Sequence, residues 1–226
     1  MGWLINIIIL IAVYIILAAG FRDEIKAARD RDPAAKSDLE ILLLYSGVHA
    51  LIFYRIANFF WKFKVPILPR ALSQIGRFFT GIEIHPGAAI GKGLFIDHGM
   101  GVVVGETSII GDNVTLFQGA TLGGTGKETG KRHPTIGNNV VVGAGAKVLG
   151  NIEIGDNSYV GANAVVIKSV PPNATVVGVP AHITKQDGLR MDMTMDHAHV
   201  SDPIMQHLKD LVRRIKTLED KEEKGN

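Results

Sequence analysis

IHPGAAIGKGLFIDHGMGVVVGETSIIGDNVTLFQGATLGG, residues 84–124, and TIGNNVVVGAGAKVLGNIEIGDNSYVGANAVVI, residues 135–167, place one aliphatic side chain at every sixth position. The leading residues are Ile84, Ile90, Ile96, Val104, Ile110, Leu116, Leu122, Ile136, Val142, Val148, Ile154, Val160 and Val166. Glycine follows many of them directly, at Gly91, Gly105, Gly111, Gly123, Gly137, Gly143, Gly155 and Gly161. A six-residue period is the signature of a β-helix. Each hexad supplies a short strand and a turn, and three hexads close one triangular coil. Stacked coils bury the leaders in a continuous column that no single coil could bury alone. The thirteen hexads correspond to about four coils, ending at Val170-Pro171-Pro172, with residues 177–181 as a closing turn. An alternating β-sandwich does not fit, because the period is six rather than two.

The register breaks twice. Two extra residues enter between Ile96 and Val104, and eight enter between Leu122 and Ile136. The first break carries Asp97-His98 and the second carries Arg132-His133. Function is expected in these interruptions of a regular scaffold.

The 226-residue chain is long enough for one or two domains with a real core. Its net charge of +2 shows no basic stripe interleaved with aromatics, which argues against nucleic acid as a partner. The absence of cysteine excludes disulfides, thiolate metal sites, a cysteine nucleophile and a lipoprotein anchor.

Working outward, residues 3–19 read WLINIIILIAVYIILAA, with Asn6 as the one polar side chain. Seventeen helical residues span roughly 26 Å, at the short end for crossing a bilayer. Arg22, Lys26, Arg29 and Arg31 follow the stretch and no basic residue precedes it. That asymmetry favours a membrane anchor with the rest of the chain on the cytoplasmic face. A cleaved signal peptide, which would need a basic leader, and an apolar helix buried in an oligomer are the competing readings. A soluble helix ends before Pro33, and Ser37 or Asp38 caps an apolar helix over residues 39–64. Glu40, His49, Arg55 and Asn58 interrupt that helix, which places it in a bundle or subunit interface rather than in lipid. Pro66 and Pro69 break it, and residues 70–80 give a short third helix.

Beyond the repeat, residues 186–201 read as a loop. A last helix starts at Asp202 with Pro203 at its first position, striped by Ile204, Leu208, Leu211, Val212, Ile215 and Leu218. The expected organisation is therefore α+β: an apolar segment (1–20), a helical domain (21–81), a left-handed parallel β-helix (82–185), and a loop with a C-terminal helix (186–226).

Five stretches are more specific than the hexads: RDPAAKS, LYSGVHALIFYRIANFFW, GIEIHPGAAIGKGLFIDHGMGVVVGET, LFQGATLGGTGKETGKRHPTIGNNVVVGAGAKVLGNIEIG and VPPNATVVGVPA. They closely resemble the serine O-acetyltransferases, the hexapeptide-repeat acetyltransferases that open cysteine biosynthesis from serine. The resemblance covers residues 22–185 and implies acetyl transfer from acetyl-CoA to the serine hydroxyl, with no permanently bound cofactor and no metal. It implies a homotrimer, or a dimer of trimers, with the site shared between subunits. Family members that dock into cysteine synthase end in Ile, where this chain ends in Gly225-Asn226.

Carried over residue by residue, the resemblance makes His98 the general base that takes the hydroxyl proton and returns it to the CoA thiolate. Glu83, at a position where the family has Asp, orients the imidazole. Asp32 and Asp97 hold the substrate ammonium and Arg132 its carboxylate. His133 lies beside the carboxylate or the developing oxyanion. On local sequence alone Asp32 reads equally well as a capping residue, and Arg132 as a solvated loop charge. Acetyl-CoA is expected along Gly123, Gly124 and Thr125, and along Ala144, Gly145 and Ala162, with Lys147 or Lys185 meeting its phosphates. The charged, glycine-rich residues 124–133 are expected to form a flap over the thioester.

Three other functions compete. A hexapeptide acyltransferase acting on a sugar or nucleotide sugar would suit an anchor but would not need Asp32, Asp97 and Arg132 together. A zinc carbonic anhydrase on the same fold would need three imidazoles around an open metal position, for which His85, His98 and His133 are available. A catalytically silent scaffold would not need the DHG and RHP motifs.

Overall fold

The computed structural model describes residues 2–126, 129–188 and 211–215. Five helices come first: α1 (Gly2–Gly20), α2 (Arg22–Arg31), α3 (Asp38–Leu44), α4 (Ser46–Lys62) and α5 (Leu68–Thr80). Fifteen short strands follow: β1 (Glu83–Ile84), β2 (Ala89–Ile90), β3 (Phe95–Asp97), β4 (Val103–Val104), β5 (Ile109–Ile110), β6 (Thr115–Phe117), β7 (Thr121–Gly123), β8 (Thr135–Ile136), β9 (Val141–Val142), β10 (Lys147–Leu149), β11 (Glu153–Ile154), β12 (Tyr159–Val160), β13 (Val165–Val166), β14 (Ala174–Val177) and β15 (His182–Gln186).

Each strand up to β10 pairs in parallel with the strand three places later in the chain, which makes a prism of three sheets. The first sheet runs β1-β4-β7-β10-β13, the second β2-β5-β8-β11, and the third β3-β6-β9-β12-β14-β15. In the first sheet Ile84, Val104, Leu122, Val148 and Val166 stack in register. Both insertions are therefore absorbed at corners, and the leaders stay aligned. All thirteen leaders are buried.

A second inward position lies two residues before each leader. Ile82, Ala88, Leu94, Val102, Ser108, Val114, Ala120, Val140, Ala146, Ser158 and Ala164 are all buried there. These corners are narrow, so small side chains fill most of them. The glycines after the leaders answer to close backbone stacking: a Cβ at Gly111 would stand 2.8 Å from the Gly137 carbonyl of the next coil. Left-handed corners fall instead on asparagines three residues before leaders, among them Asn113, Asn139 and Asn157. Such backbone angles are easiest for Gly and Asn.

The prism has five coils, one more than the hexad count gave. Val170 bridges in parallel to Ile154, only four residues after Val166, and β14 completes the fifth coil. Val177, expected to open the closing turn at 177–181, is instead the last residue of β14. The antiparallel strand β15 then covers the end.

The helices close the other end, where the first coil has no preceding coil to satisfy its outward carbonyls. Side chains do so instead. Ser73 donates to the Ile84 carbonyl (2.7 Å), Asn58 to Pro86 (2.7 Å), Tyr54 to Ala88 (2.6 Å), and Arg55 to Gly91 (2.9 Å) and Ile90 (3.2 Å). Arg31 donates to Gly93 and Val114. Arg55 and Asn58, two of the polar residues that interrupt α4, are therefore caps of the β-helix. A buried carbonyl left without a donor costs about 1–3 kcal/mol, which explains their presence on an apolar helix.

The single helix expected over residues 39–64 is two helices bent by 66° at Tyr45. Ser37 does cap α3, accepting from the Glu40 N–H. The third helix starts earlier than expected, at Leu68, because Pro69 fits its first turn.

Residues 2–20 form α1, which carries no charged residue at either end. Tyr14, Leu17 and Ala18 pack against the helical core, so the free apolar length is shorter than the segment itself. Among the described residues no single helix is long and apolar enough to cross a membrane, while the bent pair α3 and α4 passes that test by length and composition. Residues 211–215 are helical, as expected for the last helix. The rest of that helix and most of the loop expected at 186–201 lie outside the described residues.

Candidate active site

Two corners of the prism flank the first sheet. The chain enters the sheet from the third sheet along a leading edge and leaves it for the second sheet along a trailing edge. The expected site residues divide between these two edges.

Asp97 ends β3 and His98 turns the leading edge at φ 54°, a left-handed conformation that a residue with a Cβ adopts only when its surroundings hold it there. The N-terminus of α4 supplies that hold. A Cβ at Gly47 would stand 2.5 Å from the Ile96 carbonyl, and Ser46 donates to the His98 carbonyl at 3.0 Å. The His98 side chain is 75% exposed, which leaves it free to meet a ligand, while Asp97 is buried, with Oδ1 3.9 Å from His98 Nε2.

Asp32 sits just past α2. Its Oδ1 accepts from the Ala34 N–H (2.8 Å), and its Oδ2 from the Tyr45 hydroxyl (2.6 Å). The Tyr45 phenol is held well above its ordinary range, first by burial, then by the bond to Asp32 and the charges of Asp32, Glu40 and Asp97. Tyr45 is therefore bonded to Asp32 and lies within the field of Asp97. The bond from the Ala34 N–H is the local capping contact expected of Asp32.

Below His98 the leading edge is smooth. Gly101, Gly119 and Gly145 stack there, all at positive φ, and a Cβ at Gly119 would lie 3.4 Å from the Gly145 Cα. Ala144 and Ala162 turn the same edge. Lys147, on the first sheet, donates to the carbonyls of Gly119 (2.5 Å) and Gly145 (3.0 Å). Lys185 lies on the antiparallel closing strand β15.

The trailing edge carries Arg132 and His133. Arg132 Nη2 stands 3.7 Å from Glu106 Oε2. His133 is buried, and its imidazole is held below its ordinary range, first by burial and then by the Arg132 charge. Thr107 binds this segment through its hydroxyl, amide and carbonyl. Gly123, Gly124 and Thr125 follow the same edge, and a Cβ at Gly124 would stand 3.2 Å from the Arg132 carbonyl. Within the expected flap, residues 127 and 128 lie outside the described residues.

His85 also belongs to the trailing edge. It meets Trp61 edge to face at 5.1 Å, and its Nδ1 accepts from the Gly87 N–H. Burial, then the Arg70 charge, lowers it to about 4. It is a neutral structural histidine. His85 and His133 lie on one edge and His98 on the other. Among the described residues no group of three or more His, Asp or Glu is arranged to hold a metal ion.

Glu83 opens the first sheet and faces α5. Its carboxylate meets Arg77 at 3.1 Å and Arg70 at 3.9 Å. Among the described residues it makes no ion pair with His98, and the carboxylate within 4.0 Å of that imidazole is that of Asp97, at 3.9 Å.

The structure thus brings together Asp32, Asp97 and His98 on one edge and Arg132 with His133 on the other, with Glu83 on the sheet between. Tyr45, Glu106 and Thr107 join them without having been singled out. All three stand inside the distinctive motifs. The edge could also have been read by counting leaders in threes: His98 follows the third leader and Arg132 the seventh.

Residues 133–168 match the family described as bacterial transferase hexapeptide (six repeats). The serine acetyltransferase of Staphylococcus aureus (strain MSSA476) is 60% identical over 200 residues, covering 88% of this chain and 93% of that protein. The serine acetyltransferase of Brucella abortus strain S19, solved in complex with coenzyme A, superposes with a TM-score of 0.72 at 45% identity, over 74% of this chain and 67% of the other. That of Neisseria gonorrhoeae, in complex with serine, gives a TM-score of 0.72 at 41% identity, over 75% and 69%. With the fold, the motif residues and this degree of identity in agreement, the chain belongs to the serine acetyltransferases.

Proposed function

We propose that the chain transfers the acetyl group of acetyl-CoA to the hydroxyl of serine, giving O-acetylserine and CoA, at a site assembled from the leading edge of one copy and the trailing edge of its neighbour. The observation that carries the shared site is the division of complementary charge. The carboxylates suited to an ammonium stand on one edge with the exposed imidazole, and the guanidinium suited to a carboxylate stands on the other. A zwitterion seated between two copies meets both, in a homotrimer whose prisms lie side by side.

In this arrangement Asp97 and Asp32 receive the serine ammonium, and Arg132 receives the carboxylate as a planar fork. His98 takes the hydroxyl proton as the serine oxygen attacks the thioester carbonyl. The tetrahedral oxyanion forms within reach of N–H donors, His133 among them. Its collapse breaks the C–S bond, and the proton passes from His98 to the departing CoA thiolate. Glu83 is assigned to orient the imidazole. It lies one sheet face away and must turn from Arg77 to do so. The pantetheine arm follows the glycine-smooth leading edge, past Gly145, Ala144 and Ala162, toward Gly123, Gly124 and Thr125, with Lys147 or Lys185 near the phosphates.

α1 exposes Trp3, Ile5, Ile7 and Ile9 ahead of the basic residues of α2. Attachment to a membrane surface would use this end, and co-sedimentation of the chain with anionic vesicles tests it. Binding unchanged on deleting residues 2–13 would end that reading.

CoA release measured against serine, homoserine and a panel of sugars tests the activity. A clear preference for a sugar would overturn it. Co-expression of His98→Ala with Arg132→Ala tests the shared site. Mixed oligomers should regain activity that neither variant has alone, and no recovery would place the site within one chain.

A further inference from the structure

We propose that Thr107 is a positioning residue for the transfer: it holds the His133 imidazole in the neutral tautomer that keeps its proton on Nε2 and offers that N–H to the carboxylate or oxyanion of the acetyl acceptor. The inference rests on the placement of His133 at the acceptor site proposed above.

Three consecutive residues at the end of the eight-residue insertion are tied to Thr107. Lys131 Nζ donates to its carbonyl at 2.7 Å. The backbone N–H groups of Arg132 and His133 both donate to its hydroxyl oxygen, at 3.1 Å each. The His133 ring meets it twice more. Nδ1 accepts from the Thr107 N–H at 3.2 Å and stands 2.9 Å from the Thr107 hydroxyl oxygen.

The tautomer follows from counting donors. A threonine hydroxyl has two lone pairs and one proton. Both lone pairs face N–H donors, from Arg132 and His133. The remaining valence is the O–H itself, so the contact with Nδ1 is a donation by Thr107. The Thr107 N–H can only donate. Nδ1 therefore faces two donors, and a proton on it would meet both head-on. A neutral imidazole carries one N–H, and here it must be at Nε2.

The surroundings keep the ring neutral. It is buried, with Arg132 and Lys131 on its own segment, His85 on the corner of the first coil, and Glu106 on the corner of the second as the one opposing charge. Nε2 itself is left open. It lies between Gly105 and Gly124: a Cβ at 105 would fall within the ring, and one at 124 would stand 3.4 Å from Nε2. Among the described residues no protein group accepts from Nε2. A neutral donor suits an oxyanion that appears only during reaction, because it gives up no proton of its own. The arrangement also explains how a long insertion can present Arg132 and His133 in fixed positions: one side chain on a regular corner of the coil below fixes both backbones.

The test combines nitrogen NMR of histidine-labelled protein with steady-state kinetics on the full chain, using Thr107→Ser and Thr107→Val. The wild type and Thr107→Ser should show His133 protonated at Nε2 and bare at Nδ1. Thr107→Val should lose the hydroxyl bond signature at Nδ1 and lower kcat for serine by about 100-fold, the scale expected when reacting groups are misplaced by about 1 Å. KM for acetyl-CoA should stay within about twofold, since most of the cofactor arm runs along Gly145, Ala144 and Ala162 of the leading edge, and Thr107→Ser should restore kcat. A wild-type His133 protonated at Nδ1 would overturn the proposal, as would a valine variant with unchanged turnover. Should the valine variant not fold, the wild-type spectrum alone decides. If the wild type acetylates a sugar instead of serine while the tautomer and the valine effect stand, the serine reading fails and the role of Thr107 survives.

Discussion

The Tyr45 hydroxyl donates to Asp32 Oδ2 across 2.6 Å, and this bond ties the end of α2 to the bend between α3 and α4 beside the His98 corner. Asp32 comes from outside the β-helix and needs such a tether to serve a site built on it. Tyr45→Phe removes the donor while leaving the ring in place. A hydrogen bond to a charged group contributes about 1.5–3 kcal/mol. The expected result is a rise of about tenfold in KM for serine, with a smaller change in kcat and none in KM for acetyl-CoA. Equal losses for both substrates would mean that Tyr45 acts through general stability.

His98→Ala should abolish acetyl transfer and leave CoA binding nearly intact, as measured by calorimetry. The orienting carboxylate is then decided by a pair of variants. If Glu83 aligns the imidazole, Glu83→Gln lowers kcat by orders of magnitude, and Asp97→Asn acts mainly on KM for serine. The reverse pattern would assign orientation to Asp97, which lies 3.9 Å from the ring within the same chain.

The prism was legible because its core repeats: a leader every sixth residue survives two insertions when both bulge at corners. The fifth coil was hidden because Val170 arrives two residues early and Pro171-Pro172 reads as a stop. The small residues two places before the leaders were hidden because Ala and Ser carry no hydrophobic signal. Asp97-His98 and Arg132-His133 stood out as faults in the period, but the hydrogen bonds that fix them did not. Tyr45 and Thr107 act on residues 13 and 26 positions away, distances set by coil geometry rather than by local pattern. Arg55 and Asn58 stood out on an apolar helix, while their partners, the carbonyls of the first coil, are visible only in three dimensions.

Those caps make a stability prediction. Tyr54→Phe and Asn58→Leu keep the bulk of the helix surface; the first leaves the Ala88 carbonyl only the long bond from Asn58 (3.5 Å), and the second leaves the Pro86 carbonyl without its donor. Each should destabilise the chain by about 1–3 kcal/mol, seen as a lower urea midpoint with an unchanged slope. A midpoint equal to wild type for both would show that water satisfies those carbonyls, and that the helices hold the first coil by apolar contact alone.

His85 sets a pH dependence whose sign can be worked out. Its ordinary value is 6.5, and burial with the Arg70 charge lowers it to about 4 in the folded chain. Above pH 6.5 neither state binds the proton, and His85 has no effect on stability. As pH falls through 6.5 the unfolded chain takes up a proton that the folded chain refuses, so stability falls until about pH 4, where the folded state binds it too. Burial lowers His133 in the same direction and adds to the loss. His85→Asn removes the first contribution. Urea titrations of wild type and variant at steps between pH 7 and pH 4 should therefore give curves that converge toward low pH, with the wild type losing more stability over the interval. The variant also loses the edge-to-face contact with Trp61, but that loss is the same at every pH and cannot produce convergence. Parallel curves would mean that His85 titrates alike in the folded and unfolded chain, and a wild type that gains stability relative to the variant as pH falls would mean that it is held protonated against Glu106 or Glu83 rather than shielded beneath Trp61.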